Sequence, residues 1–333
     1  MKLFQKQYDI VAIGDTVTDA FIKLKEAHIN CKLNNEGCEI CMKYGDKIPF
    51  DFVEICPAVG NSANASVSFS KLGLNAAIIT DLGDDQNGHE AIDAFKKNGV
   101  STEFVKLHKD KKTNYHYVLW YEVDRTILIK HETFDRHIPS MKNPKFLYLS
   151  SLGEDSLEFH KEIAEYLNKN TDVKLAFQPG TFQIKFGTEE LKGIYARTEI
   201  FFCNVEEAQM ILNVTTREIK NLLGGIHNLG PKIVVITDGP NGAHVSYDNK
   251  VLFMPLYPDI KPPYERTGAG DAYASTFVAC IAQGKTVEEA ITWAPINSMS
   301  VVQQIGAQKG LLTEKEIREY LAKAPADYKV KEI

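Results

Sequence analysis

The chain has 333 residues, 44% of them hydrophobic and 25% charged, with a formal net charge of -6 and a pI near 5.9. That composition is ordinary for a globular protein, and a core of this size needs no disulfide or metal to be stable. It excludes the basic block of a nucleic-acid binder, and no apolar run is long enough to span a bilayer, so neither nucleic acid nor membrane is an expected partner. The opening Met1-Lys2-Leu3-Phe4-Gln5-Lys6 lacks the apolar stretch of a signal peptide. A cytoplasmic location with reduced cysteines is therefore expected.

Tyr8 to Gly14 reads as a buried strand closed by glycine. Asp15-Thr16-Val17-Thr18-Asp19 follows at the strand-to-loop junction, where open α/β sheets bind ligands. Asp15 by itself reads as a polar strand end. Phe21 to Pro57 is polar, shows no long helical period and carries His28, Cys31, Cys38 and Cys41. Free thiols in a loop are the expectation there. A zinc site on Cys31, Cys38 and Cys41, with His28 close by, is the alternative, although only the last two cysteines have the Cys-x-x-Cys spacing. Val59-Gly60-Asn61-Ser62-Ala63-Asn64-Ala65-Ser66 opens a helix running to Leu72, with Asn61 or Ser62 placed to cap it. Ala76 to Thr80 is a strand, and Gly83-Asp84-Asp85 turns into a helix ending at Asn98-Gly99-Val100. Thr113 to Tyr121 and Arg125 to His131 read as strands around a Glu122-Val123-Asp124 turn. Their aromatics, Tyr115, Tyr117, Trp120 and Tyr121, suit a cover over a sugar or base, or a dimer surface.

Phe146 to Ser150, Val173 to Phe177 and Glu199 to Cys203 are further apolar strands, with helices such as Leu157 to Leu167 between them. This alternation predicts a parallel sheet covered on both faces. Asn204-Val205-Glu206-Glu207 starts a helix with a cap and two acids in its first turn. Lys232 to Thr237 is a strand followed by the turn Asp238-Gly239-Pro240-Asn241-Gly242. Thr267-Gly268-Ala269-Gly270-Asp271 then precedes a helical run from Ala272 to Gln283. Small residues let backbone approach a ligand, and free amides at a helix start favour an anion. A carboxylate beside such an anion hole repels phosphate, so Asp271 makes sense as the acceptor of a hydroxyl proton while the amides hold the phosphoryl group. Val287 to Gln304, which carries Asn297, is predicted helical and ends at Gly306. Thr313 to Leu321 is an amphipathic helix with a Thr313/Glu316 capping box. There is no internal repeat.

Thr267 to Asp271, together with the Gly14 to Asp19, Gly60 to Asn64, Asn204 to Glu207 and Thr237 to Gly242 segments, resembles in composition and order the ribokinase-like (PfkB-type) carbohydrate kinases. The resemblance implies one ribokinase-like domain over 1–333. Its fold would be a three-layer α/β/α sandwich with a mostly parallel central sheet and a small β-sheet lid from about 17–57 and 111–135. It implies ATP and magnesium, with Asp271 as general base and Gly268, Ala269 and Gly270 as the anion hole. Asp19, Gly60, Asn61 and Asn64 would bind the acceptor. Asn204 and Glu207 would organise magnesium through water, while Thr237, Gly239, Gly242, Arg266, Thr267 and Asn297 would line the nucleotide site. Val59 stands where relatives have the first glycine of a pair, Gln178-Pro179-Gly180 where many have Asp-x-Asn, and Glu265-Arg266 where they have Asp-Thr. That Asp often belongs to a monovalent-cation site, so potassium activation is left open. A homodimer through the lid is also implied.

The acceptor expected first is a free sugar or sugar acid, then a nucleoside, then a sugar phosphate received by Arg266, Lys130 and His131. A non-catalytic ligand-binding regulator on the same fold is the reading from another class.

Overall fold

The computed structural model describes residues 6–31, 38–122 and 124–333. The opening residues up to Gln5 and Val123 of the turn lie outside the described residues. In chain order the first strands are β1 (Ile10–Ile13), β2 (Val17–Leu24), β3 (His28–Asn30), β4 (Glu39–Cys41), β5 (Phe50–Val59), β6 (Ala76–Gly83), β7 (Val105–His108) and β8 (Asn114–Tyr121). The rest are β9 (Asp124–Lys130), β10 (Phe146–Leu149), β11 (Lys174–Phe177), β12 (Thr198–Asn204), β13 (Ile233–Thr237), β14 (Ala243–Tyr247), β15 (Lys250–Met254) and β16 (Lys331–Glu332). The helices are α1 (Asn61–Lys71), α2 (Gln86–Lys97), α3 (Leu157–Lys169), α4 (Thr181–Phe186) and α5 (Lys192–Arg197). They continue as α6 (Val205–Leu212), α7 (Ile219–His227), α8 (Ala269–Ala282), α9 (Val287–Val301) and α10 (Glu314–Leu321).

Ten strands form the main sheet in the order β16-β15-β14-β13-β12-β11-β10-β1-β6-β7. Pairing is parallel from β7 to β13, and β14 to β16 add an antiparallel edge. The continuous apolar runs of β1 and β10 are buried along their whole length, as strands covered on both faces must be. Ile10 and Ala12 join one core with Phe69, Phe277 and Trp293 of α1, α8 and α9. Val11 and Ile13 join the other with Ile163, Tyr195 and Leu222 of α3, α5 and α7. The chain is thus a three-layer α/β/α sandwich.

A second sheet of four strands, β5-β2-β8-β9, forms the lid. Asp19 lies opposite Cys56 of β5 and His116 of β8, and His116 lies opposite Ile129 of β9. Because side chains alternate along a strand, these residues share one face. Ala20, Ile55, Tyr117 and Leu128 share the other.

Three expectations need correction. Cys31 and Cys38 are joined in a disulfide rather than left as free thiols. The cause is the β3–β4 hairpin: Asn30 pairs with Glu39, so the next residue on each strand faces the other across it, with Cα atoms 4.0 Å apart. Bonded sulfurs are not thiolates, so Cys31, Cys38 and Cys41 do not make a zinc site; among the described residues no group of three or more His, Cys, Asp or Glu is arranged to hold a metal. Second, the cap of α1 is Gly60, with φ 116°, and neither Asn61 nor Ser62 caps it. Third, α9 stops at Val301, short of Gln304, and accommodates Pro295 in its interior. No helix among the described residues is long and apolar enough to cross a membrane.

Candidate active site

The site lies where β1, β10 and β11 end and α1 and α8 begin, the crevice at the carboxyl edge of a parallel sheet. Asp271 sits in the first turn of α8 and is only 7% exposed. Its Oδ1 accepts from Asn61 Nδ2 at 2.8 Å and Gln178 Nε2 at 3.2 Å, and its Oδ2 from Asn64 Nδ2 at 2.8 Å. Burial raises its pKa above the usual carboxylate range, against the three amides, which lower it. The carboxylate is thus buried and held in place by three neutral amide donors.

Two of these donors, Asn61 and Asn64, are residues the sequence assigned to the acceptor. The third, Gln178, is one it treated only as a lost carboxylate. Its carbonyl accepts from the buried Tyr148 hydroxyl, which fixes the amide toward Asp271. The usable signal was position: Gln178 follows a buried strand at the sheet's carboxyl edge. Gln308 was also missed. Its Nε2 donates to Asn64 Oδ1 at 3.0 Å and to the Ala58 carbonyl at 2.7 Å, setting the Asn64 amide with its NH2 toward Asp271.

The signature loop is held from behind. Gly268 precedes α8 with φ 80°, and a Cβ there would meet Ala307 Cβ at 2.3 Å. Both constraints call for glycine. No side chain caps α8, and its first intrahelical bond runs from Ala272 N to Gly268 O at 2.8 Å. The amides of the first turn are left for an anion. Glu265 is buried and accepts from Thr267 N at 2.8 Å and Gly306 N at 3.0 Å, so its oxygens brace this loop against the segment after α9. Thr267 Oγ1 is buried without a hydrogen-bond partner.

Beside the loop opens a cavity of about 470 Å³. Asn204, Thr237, Gly239, Gly242, Arg266, Ala269 and Gly270 line it, and Met254, Pro255, Pro295, Met299 and Val302 supply an apolar wall. Polar and glycine residues on one side and apolar ones on the other suit phosphates and a flat base. Asn297 does not line the cavity. It is fully buried, its amide donates to Thr276 Oγ1 at 2.8 Å, and its carbonyl accepts from Leu312 N at 2.9 Å. Its polar atoms are spent in the α8–α9 packing, so it is corrected to a structural residue. Asn204 and Glu207 form a reciprocal capping box on α6. Burial, with Asp271 and Glu206 nearby, raises the Glu207 pKa against the Asn204 amide.

Around the lid hinge, Asp19 Oδ1 lies 3.2 Å from His116 Nδ1. Asp15 is far more than a strand end. Buried, its carboxylate takes Arg136 at 3.0 Å, the Gly153 amide at 2.8 Å and a 3.5 Å approach from His131 Nδ1. Arg136 also donates to Asp155 at 2.6 Å. Backbone packs against backbone here too, since a Cβ on Gly60 would meet the Asp15 carbonyl at 2.6 Å. Of the three residues suggested for a sugar phosphate, His131 meets His116 and neither it nor Lys130 lines the cavity. Arg266 faces the cavity, and exposed Lys130 pairs with Glu132 at 2.9 Å.

The fold and the acid-bearing loop beside a nucleotide-sized cavity define a phosphotransferase of the α/β type. The chain belongs to the pfkB family of carbohydrate kinases, whose model matches residues 56–314. It is 24% identical over 273 residues to the ribokinase of Bacillus subtilis (strain 168), covering 79% of this chain and 87% of that one. Its fold matches Arabidopsis thaliana ribokinase complexed with ribose and ATP, with a TM-score of 0.77 at 18% identity over 95% and 99% of the two chains. It likewise matches a putative ribokinase II from E. coli in complex with ATP and magnesium, with a TM-score of 0.73 at 17% identity over 95% and 99%.

Proposed function

We propose that this carbohydrate kinase transfers the terminal phosphoryl group of ATP to a hydroxyl of a small, sugar-like acceptor, with Asp271 as general base. The observation that carries this is the placement of Asp271. It is buried, oriented by Asn61, Asn64 and Gln178, and set in the uncapped first turn of α8, whose Ala269 and Gly270 also line the cavity. Asp271 takes the acceptor's hydroxyl proton as that oxygen bonds to the phosphorus. The bond from phosphorus to the bridging oxygen breaks, and ADP leaves. Amides of Gly268 to Gly270 meet the charge on the transferring group.

Magnesium fits beside Asn204 and Glu207 only as an ion that keeps its waters, because Glu207 already accepts from the Asn204 amide at 2.8 Å and no carboxylate cage surrounds it. When bound, it would neutralise charge on the phosphate oxygens. Arg266 adds a fixed positive charge to the same cavity. A sugar or sugar acid stands ahead of a nucleoside as acceptor. The lid aromatic best suited to stacking a base, Trp120, is already covered by Lys23 Nζ at 4.0 Å and by Tyr264 with ring centres 5.1 Å apart. We also infer a homodimer through the outer lid face, where Ile55, Tyr117 and Leu128 are 54%, 49% and 52% exposed.

The test is ADP release with ATP and magnesium across sugars, sugar acids, nucleosides and sugar phosphates, with Asp271→Ala beside the wild type. Acceptor-dependent release lost in the variant supports the reading and identifies the acceptor class. Ligand binding without transfer to any acceptor would favour the regulator instead.

A further inference from the structure

An asparagine amide can meet a carboxyl group either way round, and only one way suits a base. With its NH2 forward it stabilises the carboxylate. With its carbonyl forward it repels the carboxylate and accepts from the protonated acid. For Asn64 that choice is made by Gln308, whose Nε2 donates to the Ala58 carbonyl at 2.7 Å and to Asn64 Oδ1 at 3.0 Å. A backbone carbonyl only accepts, so the end of the Gln308 amide beside it is the NH2. One N–H is taken by Ala58 and the other by Asn64. What accepts from an N–H is an oxygen, so the Asn64 carbonyl points to Gln308 and its NH2 to Asp271 Oδ2, at 2.8 Å. Backbone in turn sets the Ala58 carbonyl. Between the pairs Val17–Val59 and Asp19–Cys56 the β2–β5 ladder bulges, with Pro57 and Ala58 standing against Thr18 alone. Ala58 is buried there with φ 58°, in the left-handed region that a residue with a Cβ enters only at a cost. Gln308 is fixed from its own side, because Gly306 N donates to Glu265 and Ala307 packs against Gly268.

We propose that Gln308 is a positioning residue for the base: held by the carbonyl of the strained Ala58, it locks Asn64 so that a donor, never an acceptor, meets Asp271 Oδ2. The consequence for turnover rests on the kinase reading above, whereas the lock itself does not. On its other sides Asp271 meets the amides of Asn61 and Gln178, with the Tyr148 hydroxyl behind Gln178. The Glu207 carboxyl of α6 acts on it through charge, and Arg266 lines the adjoining cavity. Burial raises the Asp271 pKa, and the Asn64 amide, ahead of those of Asn61 and Gln178, opposes that rise. Without the lock, a protonated Oδ2 turns the Asn64 carbonyl toward itself and gains an acceptor that the native arrangement denies it. The acid then holds its proton more tightly.

Gln308→Met keeps the length of the side chain and removes its donor. Titration of the aspartate carboxyls by 13C NMR, on the full chain with neither ATP nor acceptor, should show Asp271 roughly tenfold less acidic in this variant, the scale of one hydrogen bond to a charged group. Asp271→Asn identifies the signal. In Asn64→Ala there is no amide to lock, so adding Gln308→Met should change nothing further. An Asp271 titration unmoved by Gln308→Met, or a shift that persists in the Asn64→Ala background, overturns the proposal. With an acceptor found by ADP release, kcat of Gln308→Met should fall at the acid end of its pH profile and be retained at the alkaline end. An equal fall at every pH marks mere loss of packing and overturns it. If the variant fails to fold, a neutron structure of the perdeuterated wild type decides. Both Gln308 deuterons on the Ala58 and Asn64 oxygens are expected, and an Asn64 carbonyl facing Asp271 overturns the lock. Inactivity toward every acceptor would sink the kinase reading and leave the NMR and neutron tests standing.

Discussion

At the scale of single residues, the proposed mechanism rests the chemistry on Asp271, with its neighbours tuning it. Asp271→Asn keeps the shape but removes the base, so acceptor-dependent turnover should fall ~100- to 10,000-fold with ATP affinity retained, as measured by steady-state assay and direct nucleotide binding. Because burial raises the Asp271 pKa, kcat should fall as pH drops through a value above the ordinary carboxylate range. Gln178→Leu withdraws one amide that stabilises the ionised form, so the acid limb of the kcat profile should move to higher pH. Two buried groups outside the chemistry matter for stability. Arg136 is the counter-charge of Asp15 and Asp155, and Arg136→Met leaves the buried Asp15 carboxylate without its guanidinium. A loss of about 3 kcal/mol is expected in urea unfolding. His160 is pushed down to about 4 by burial and is therefore neutral when folded. An unfolded imidazole titrates near 6.5, so the stability linked to His160 is complete above about that pH and drains away as pH falls from there toward 4. His160→Leu should flatten that acid limb.

At the scale of elements, the site is a set of joints between strand ends and helix starts. The Asn204 box on α6 and the Thr313 box on α10 were readable because a cap and its N3 acid are local in sequence. The start of α1 was not, because Asn61 turns away from its own helix toward an aspartate 210 residues further along the chain. Gly268 joins loop to α8 under two constraints, a positive φ and contact with Ala307. Gly268→Ala should cost about 2 kcal/mol in denaturant unfolding and lower kcat more than the stability loss explains, because the first-turn amides move with it. In the lid, the alternation of β2, β5 and β8 puts Asp19 and His116 on one face, with Phe21, Val118 and Trp120 beyond them, and Ala20, Ile55 and Tyr117 on the other. Strand periodicity makes that division visible, but only the register shows that Asp19 and His116 stand side by side.

At the scale of the whole molecule, a ten-stranded sheet carries the candidate site at one edge, and a four-stranded lid rises from it directly after β1. The outer face of that lid exposes Ile55, Tyr117 and Leu128, an apolar surface available to a second copy. Ile55→Asp is expected to shift the protein from dimer to monomer in sedimentation velocity. A wild type that sediments as a monomer at micromolar concentration would instead remove the dimer.

The alternation of strands and helices, the glycine-rich loop before α8 and the capping boxes were all legible in the sequence, because period, turn chemistry and caps act over a few residues. Asp271 could be picked out for the same reason, from the glycine loop before its helix, whereas Asn61, Asn64, Thr237 and Gly242 were singled out only through the family resemblance. What the tertiary structure decided was partnership. It gave Gln178 to Asp271, Gln308 to Asn64, Arg136 and His131 to Asp15, Asn297 to the interior and Cys31 to Cys38. Most of these pairs join residues far apart in the chain, and the two cysteines meet because β3 pairs with β4 beside them. Contacts of this kind depend on how elements pack and register, which no short window of sequence contains.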